Sequence, residues 1–131
     1  FELDPQFDKV CEKHLAKVGD RATKKNSVKC FWGDAFESIK NIENDKYDKI
    51  FVDLNEDQDC IDLAAKNMKS LKRILKTHGT ITAQVGSQDK KPKQVRNWLN
   101  VFNKNFGNAT LDRVYIPSFD CSWNFASSIN N

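Results

Sequence analysis

Apolar positions recur along this chain with two different periods, and the two periods alternate. Near the amino end, Phe7, Val10, Cys11, His14, Leu15 and Val18 fall at three- and four-residue spacing, the stripe of an amphipathic helix. Asp4 stands at its N-cap, Pro5 takes the first helical position, where a missing N–H costs nothing, and Gly19 supplies a left-handed stop. Helical spacing returns in "AFESIKNI", with Phe36 and Ile39 inward. A longer stripe, Ile61, Ala64, Ala65, Met68, Leu71, Ile74 and Leu75, predicts a helix that stops at His78-Gly79, with Lys72, Arg73 and Lys76 near its negative end. After Pro92, the residues Val95, Trp98, Leu99, Phe102 and Phe106 mark one more helix, closed by Gly107.

Between these stripes lie short β-forming runs. Residues 1–3 read as the end of a strand, residues 27–32 ("SVKCFW") as a second, residues 47–54 as a third and residues 80–85 ("TITAQV") as a fourth. Ile50, Phe51 and Val52 are consecutive rather than alternating, which predicts a strand covered on both faces. Residues 110–116 and 122–127 follow with no helix between them, so the sheet is expected to end in an antiparallel pair. Strands alternating with helices in this way predict an α/β fold with a mostly parallel sheet and helices on both faces. In such sheets ligands bind at the carboxyl ends of the strands. Glu2 with Asp4, Asp34 and Asp53 stand at three such ends and are expected at one shared edge.

Composition narrows the function classes. With 131 residues, 39% hydrophobic and 11% aromatic, the chain is expected to form one domain spanning its whole length. Its net charge of +3 comes from basic residues scattered among acids, so no nucleic-acid footprint is expected. No stretch approaches the roughly 18 apolar residues of a membrane span, and "FELDPQ" lacks the regions of a signal peptide. Cys11, Cys30, Cys60 and Cys121 lie too far apart for CxxC metal spacing and read as reduced thiols; no metal is expected. A cytoplasmic location follows. Asn108-Ala109-Thr110 is a glycosylation acceptor triplet and keeps an extracellular alternative open.

Five stretches then carry a family resemblance: "FELDPQ", "WGDAFESI", "YDKIFVDLNED", "LKRILKTHGTITAQVGS" and "VYIPSFDCSWNFASS". In that order and spacing, which cover nearly all of the chain, the sequence resembles the polyamine aminopropyltransferases. These are the spermidine and spermine synthases, built on the Rossmann-like fold of class I methyltransferases. The resemblance implies decarboxylated S-adenosylmethionine as co-substrate and an amine of the putrescine or spermidine class as acceptor. Glu2 matches the acid that holds the ribose hydroxyls, and Asp34 the acid beside the adenine amino group. Asp53 matches the base that takes a proton from the attacking amine, which at a pKa of roughly 10 is otherwise protonated and not nucleophilic. By the same analogy Glu56, Gln84, Ser118 and Phe119 belong to the amine side.

The sequence also departs from the family pattern. Where a second aspartate, proline and glycine are usual, this chain has Glu56-Asp57-Gln58, and the stretch to the next helix is about two residues shorter. The first Rossmann strand, its glycine-rich turn and the amino-terminal hairpin domain have no counterpart here. Because that strand is central in the family sheet, its backbone partners would be left unpaired at of order 1 to 3 kcal/mol each when buried. Three outcomes are open: a second polypeptide or amino-terminal fragment completes the sheet, Phe1 marks a truncation, or the strands beginning at Phe1 and Tyr47 pair directly.

Each candidate also has a plainer reading. Asp53 and Asp34 are placed to cap the turns or helices that follow, Glu2 to end an exposed strand, and Asp57 and Asp59 to complement a helix dipole. His14 and His78 read as structural, and Trp98, Phe102 and Phe106 as core. Trp32 and Trp123 lie at or in strands, where they either pack or approach a ligand. The leading reading is an aminopropyl transferase domain completed by a missing segment. Its alternative, from a different class, is a catalytically inactive relative serving as a binding or structural component.

Overall fold

The computed structural model describes residues 1–7, 9, 10, 13, 14, 28–55 and 57–131. The chain divides into two compact units, Phe1–Asn41 and Ile42–Asn131.

In the first unit, Glu2 and Trp32 form a parallel bridge, the described remnant of the two strands expected at residues 1–3 and 27–32. Asp4 Oδ1 accepts from Gln6 N at 2.8 Å, so the N-cap forms as expected, and residues 6, 7, 9, 10, 13 and 14 are helical. The apolar stripe of this helix is not buried where it is described: Phe7 and Val10 are exposed. Cys11, Leu15, Val18 and Gly19 lie outside the described residues. Asp34 caps the short helix α1 (Ala35–Ser38), which tightens into a 3₁₀ turn over Ile39–Asn41, where Ile39 is buried.

The second unit is a four-stranded sheet in the order β1-β2-β4-β3. Strand β1 (Tyr47–Val52) runs parallel to β2 (Leu75–Gly86), and β4 (Cys121–Ile129) runs antiparallel to both β2 and β3 (Thr110–Ile116). Helices α2 (Gln58–Ile74) and α3 (Pro92–Phe106) pack on one face. Strand parity makes that face: Ile81, Ala83 and Val85 of β2 and Ala126 of β4 are fully buried, joined by Ile61, Ala64, Met68 and Leu71 of α2 and Val95, Trp98 and Phe102 of α3. Asp57 caps α2, accepting from Cys60 N at 2.9 Å, and Gly107 closes α3 in the left-handed conformation at φ 78°.

Two expectations are corrected here. The long helix does not reach His78-Gly79; it ends at Ile74, and Leu75 opens β2. Its last carbonyls are captured from outside the helix: Arg73 O accepts from Asp45 N, Ile74 O from Lys46 N, and the Asn130 side chain donates to Leu75 O at 2.8 Å. Once those acceptors are satisfied and Leu75 is paired with Tyr47, a further helical turn has nothing to gain. His78, at φ 63°, and Gly79 instead form a kink inside β2, tied to the chain end by His78 N to Asn130 O and Asn130 N to Gly79 O. The second correction concerns the apolar run of β1. It lies at the edge of this sheet and Phe51 is 76% exposed, so it is not covered on both faces.

Gly79 is held by space. A Cβ there would lie 2.8 Å from Lys76 O and 3.0 Å from Asp48 O, both backbone atoms that cannot swing aside. Gly79→Ala is expected to destabilise the protein by about 1 to 3 kcal/mol, the range for forced overpacking. A denaturant midpoint equal to wild type would mean that β1 and the kink separate at no cost.

Candidate functional site

In the first unit, Glu2 N donates to Phe31 O and Gly33 N to Glu2 O, both at 2.9 Å. This parallel bridge brings Glu2 and the Gly33-Asp34 turn together. Asp34 Oδ1 accepts from Phe36 N at 2.7 Å and from Glu37 N at 3.3 Å, so its cap bonds fall on one carboxylate oxygen and leave Oδ2 outside the cap. Glu2 Oε1 accepts from Asp4 N at 3.1 Å. Both acids thus have a local structural role and an oxygen not engaged in it. The rings of Phe1 and Phe31 stack beside this pairing with centroids 5.1 Å apart.

In the second unit, the sheet face opposite the helices carries a cleft of about 620 Å³. Asp53 and Asn55 line it just past the end of β1, and Thr82 and Gln84 contribute from β2, alternating with the buried residues of that strand. Its aromatic wall is Phe119, on the 3₁₀ turn Pro117–Phe119, with Trp123 and Phe125 of β4. Phe119 and Trp123 rings lie 4.6 Å apart. The sequence-predicted Asp53, Gln84 and Phe119 therefore share one cleft; Ser118 is not among its lining residues, and Glu56 lies outside the described residues.

Hydrogen bonds brace the cleft. Trp123 Nε1 donates to Gln84 Oε1 at 2.8 Å, and Gln84 Nε2 donates to the carbonyl of Leu54, the residue after Asp53. Thr82 and Ser127 hydroxyls bond at 2.9 Å on the same face. The exposed carboxylate of Asp53 opposite an aromatic wall suits an ammonium carried on an apolar stem: the charge meets the acid and the methylenes meet the rings.

Other groups are placed out of contention as reacting centres. Burial, then the neighbouring Asp57 carboxylate, pushes the Cys60 thiol up, which keeps it protonated and poorly nucleophilic. The backbone N–H of Cys60 holds Asp57 below the ordinary carboxylate value, consistent with a helix cap. Asp48 is likewise lowered by its hydrogen bond and charge pairing with Lys76. Tyr115 is raised by its bond to Asp120. Among the described residues no group of three His, Cys, Asp or Glu side chains is placed to hold a metal ion, and no helix is long and apolar enough to cross a membrane. Asn108 of the acceptor triplet is bound to the end of β4, its Nδ2 donating to Ile129 O and its Oδ1 accepting from Ile129 N.

A family model described as the spermine/spermidine synthase domain matches residues 1–131, the entire chain. The chain belongs to this family. A polyamine aminopropyltransferase from Prochlorococcus marinus (strain MIT 9312) is 24% identical over 131 residues, covering 96% of this chain and 46% of that protein. Among solved structures, spermidine synthase from Thermotoga maritima superposes with a TM-score of 0.83 at 13% identity, over 99% of this chain and 44% of that one. A spermidine synthase in complex with the transition state analogue AdoDATO superposes with a TM-score of 0.76 at 12% identity, over 98% of this chain and 43% of that one. The fold is Rossmann-like, and this spermine/spermidine synthase domain spans about half the length of the relatives it matches.

The sequence reading left several cleft residues of the domain unassigned: Asn55, Thr82, Ile116 and Phe125, with Trp123 open between packing and ligand. A signal for them existed. Thr82 and Gln84 are the polar phase of an otherwise apolar strand, and Trp123 and Phe125 are the opposite phase to Asn124 and Ala126.

Proposed function

We propose that this chain is one partial Rossmann-like domain that transfers an aminopropyl group from decarboxylated S-adenosylmethionine to a small amine of the putrescine or spermidine class. The observation that carries the reading is an exposed carboxylate, Asp53, at the end of a parallel strand, in one cleft with the aromatic wall of Phe119 and Trp123. Asp53 takes a proton from the ammonium, and the amine nitrogen attacks the methylene carbon next to the sulfonium. A C–N bond forms, the C–S bond breaks, and the electron pair returns to sulfur, which leaves as a neutral thioether. Glu2 holds the ribose hydroxyls, and Asp34, through the oxygen outside its cap, the adenine amino group. Glu56 and Gln84 belong to the amine side, and no metal takes part.

A second polypeptide or amino-terminal segment completes the sheet. The edge position of β1, with Phe51 exposed, and the half-length coverage of relatives support this. A cytoplasmic setting fits the free thiols of Cys30, Cys60 and Cys121. One observation favours the non-catalytic alternative: Asp57, in the altered acidic run, is engaged as a helix cap. Incubation of the chain, supplied with the segment that completes the sheet, with decarboxylated S-adenosylmethionine and putrescine, followed by mass spectrometry, separates the two. Equal amounts of aminopropylated amine and thioether nucleoside are expected; binding of the nucleoside with no transferred product would favour the binding role.

A further inference from the structure

The Gln84 amide is spoken for at both ends. An indole N–H only donates and a peptide carbonyl only accepts, so the orientation is fixed: Oε1 toward Trp123 and Nε2 toward Leu54. In this arrangement each end of the amide already has a protein partner, and one N–H and one oxygen lone pair are left over. What the two bonds do is join three elements, β4 through Trp123, β2 through Gln84, and the residue that immediately follows Asp53. They also fix the plane of Trp123, against which Phe119 packs at 4.6 Å.

We propose that Gln84 is a positioning residue for Asp53, clamping the Leu54 carbonyl and so fixing the direction of the neighbouring carboxylate, and that it makes no contact with the amine. This rests on Asp53 receiving the amine proton and replaces the expectation that Gln84 binds substrate directly. Gln84 pairs with Phe125 on β4, one residue beyond Ala83, the last residue of β2 paired with β1. Beyond the end of this ladder, the Leu54 carbonyl is taken up by the Gln84 side chain. A base moved by even a fraction of its reach loses rate while its substrate remains bound, because alignment and affinity are separate demands.

Gln84→Met keeps the length of the side chain and removes the amide. Amide hydrogen exchange at residues 53–55 is expected to rise about tenfold or more, while the slowest amides of β2 keep their rates, the signature of a local release rather than global loss. In the transfer reaction, kcat is expected to fall about tenfold to a hundredfold, with KM for putrescine within about threefold of wild type. Trp123→Phe, which keeps a ring and removes the donor, is expected to move both readouts in the same direction by less. Unchanged exchange at residues 53–55, or a raised KM with kcat retained, would overturn the inference and return Gln84 to direct amine contact. Should the wild-type chain transfer nothing even when supplied with the completing segment, the proposed reaction fails, and the exchange rates alone still decide whether Gln84 clamps residues 53–55.

Discussion

Asp53→Asn is expected to lower aminopropyl transfer about 10²- to 10⁴-fold, the share that a positioned general base supplies. The substitution preserves shape and hydrogen-bonding reach and removes only the capacity to take a proton. An amine with a pKa near that of lysine, roughly 10, presents almost no neutral nitrogen at pH 7, so the loss should appear in kcat/KM for the amine. Because Asp53 is exposed, stability should stay within about 0.5 kcal/mol of wild type. The informative comparison is Asp57→Asn. That side chain caps α2, asparagine caps nearly as well as aspartate, and transfer should barely change. If instead Asp57→Asn abolishes transfer and Asp53→Asn does not, the base has been assigned to the wrong end of the acidic run.

Much of this site was legible in the sequence, and the reason is local. Asp34 and Gly107 announce themselves because caps act within three or four residues, and each performs the capping role that its position predicts; Asp57, expected to complement the helix dipole, caps the helix as well. Val95, Trp98 and Phe102 follow from period alone, as does the antiparallel closing pair. The errors lie where distant residues decide. His78-Gly79 has the appearance of a helix stop, yet Asn130, more than fifty residues onward, and the Asp45-Lys46 backbone end the helix earlier. The continuous run at Ile50, Phe51 and Val52 implies two covered faces only when a strand is central, and edge position is a property of the whole sheet.

Gln84 belongs to the same class. Its place on the cleft face follows from alternation, but its partners stand 39 residues later and 30 residues earlier, a pairing that no local pattern encodes. The candidate site is therefore readable as a set of residue types at strand ends. The way its members are held is a tertiary fact. Asp53 could be nominated from "YDKIFVDLNED"; the bracing of the turn behind it needed coordinates.

Trp98→Ala should cost about 3 to 5 kcal/mol, a large part of the roughly 5 to 15 kcal/mol that holds a domain of this size together. Trp98 is fully buried on α3, edge-on to Phe102 with centroids 6.2 Å apart, and Phe102 in turn meets Phe106 at 6.1 Å. Removing the indole opens a cavity that rigid neighbours on the sheet cannot fill. Its Nε1 has no hydrogen-bond partner among the described residues, and a buried unpaired donor carries a penalty of about 1 to 3 kcal/mol. Trp98→Phe discards that donor while keeping an aromatic ring against Phe102. The smaller cavity and the relieved donor oppose each other, so the net loss should be under about 1.5 kcal/mol. Urea unfolding followed by circular dichroism would read both variants as shifts of midpoint at constant slope. A loss for Trp98→Phe as large as that for Trp98→Ala would show that the indole N–H has found a partner after all, and that its hydrogen bond, not its volume, is what α3 contributes at this position.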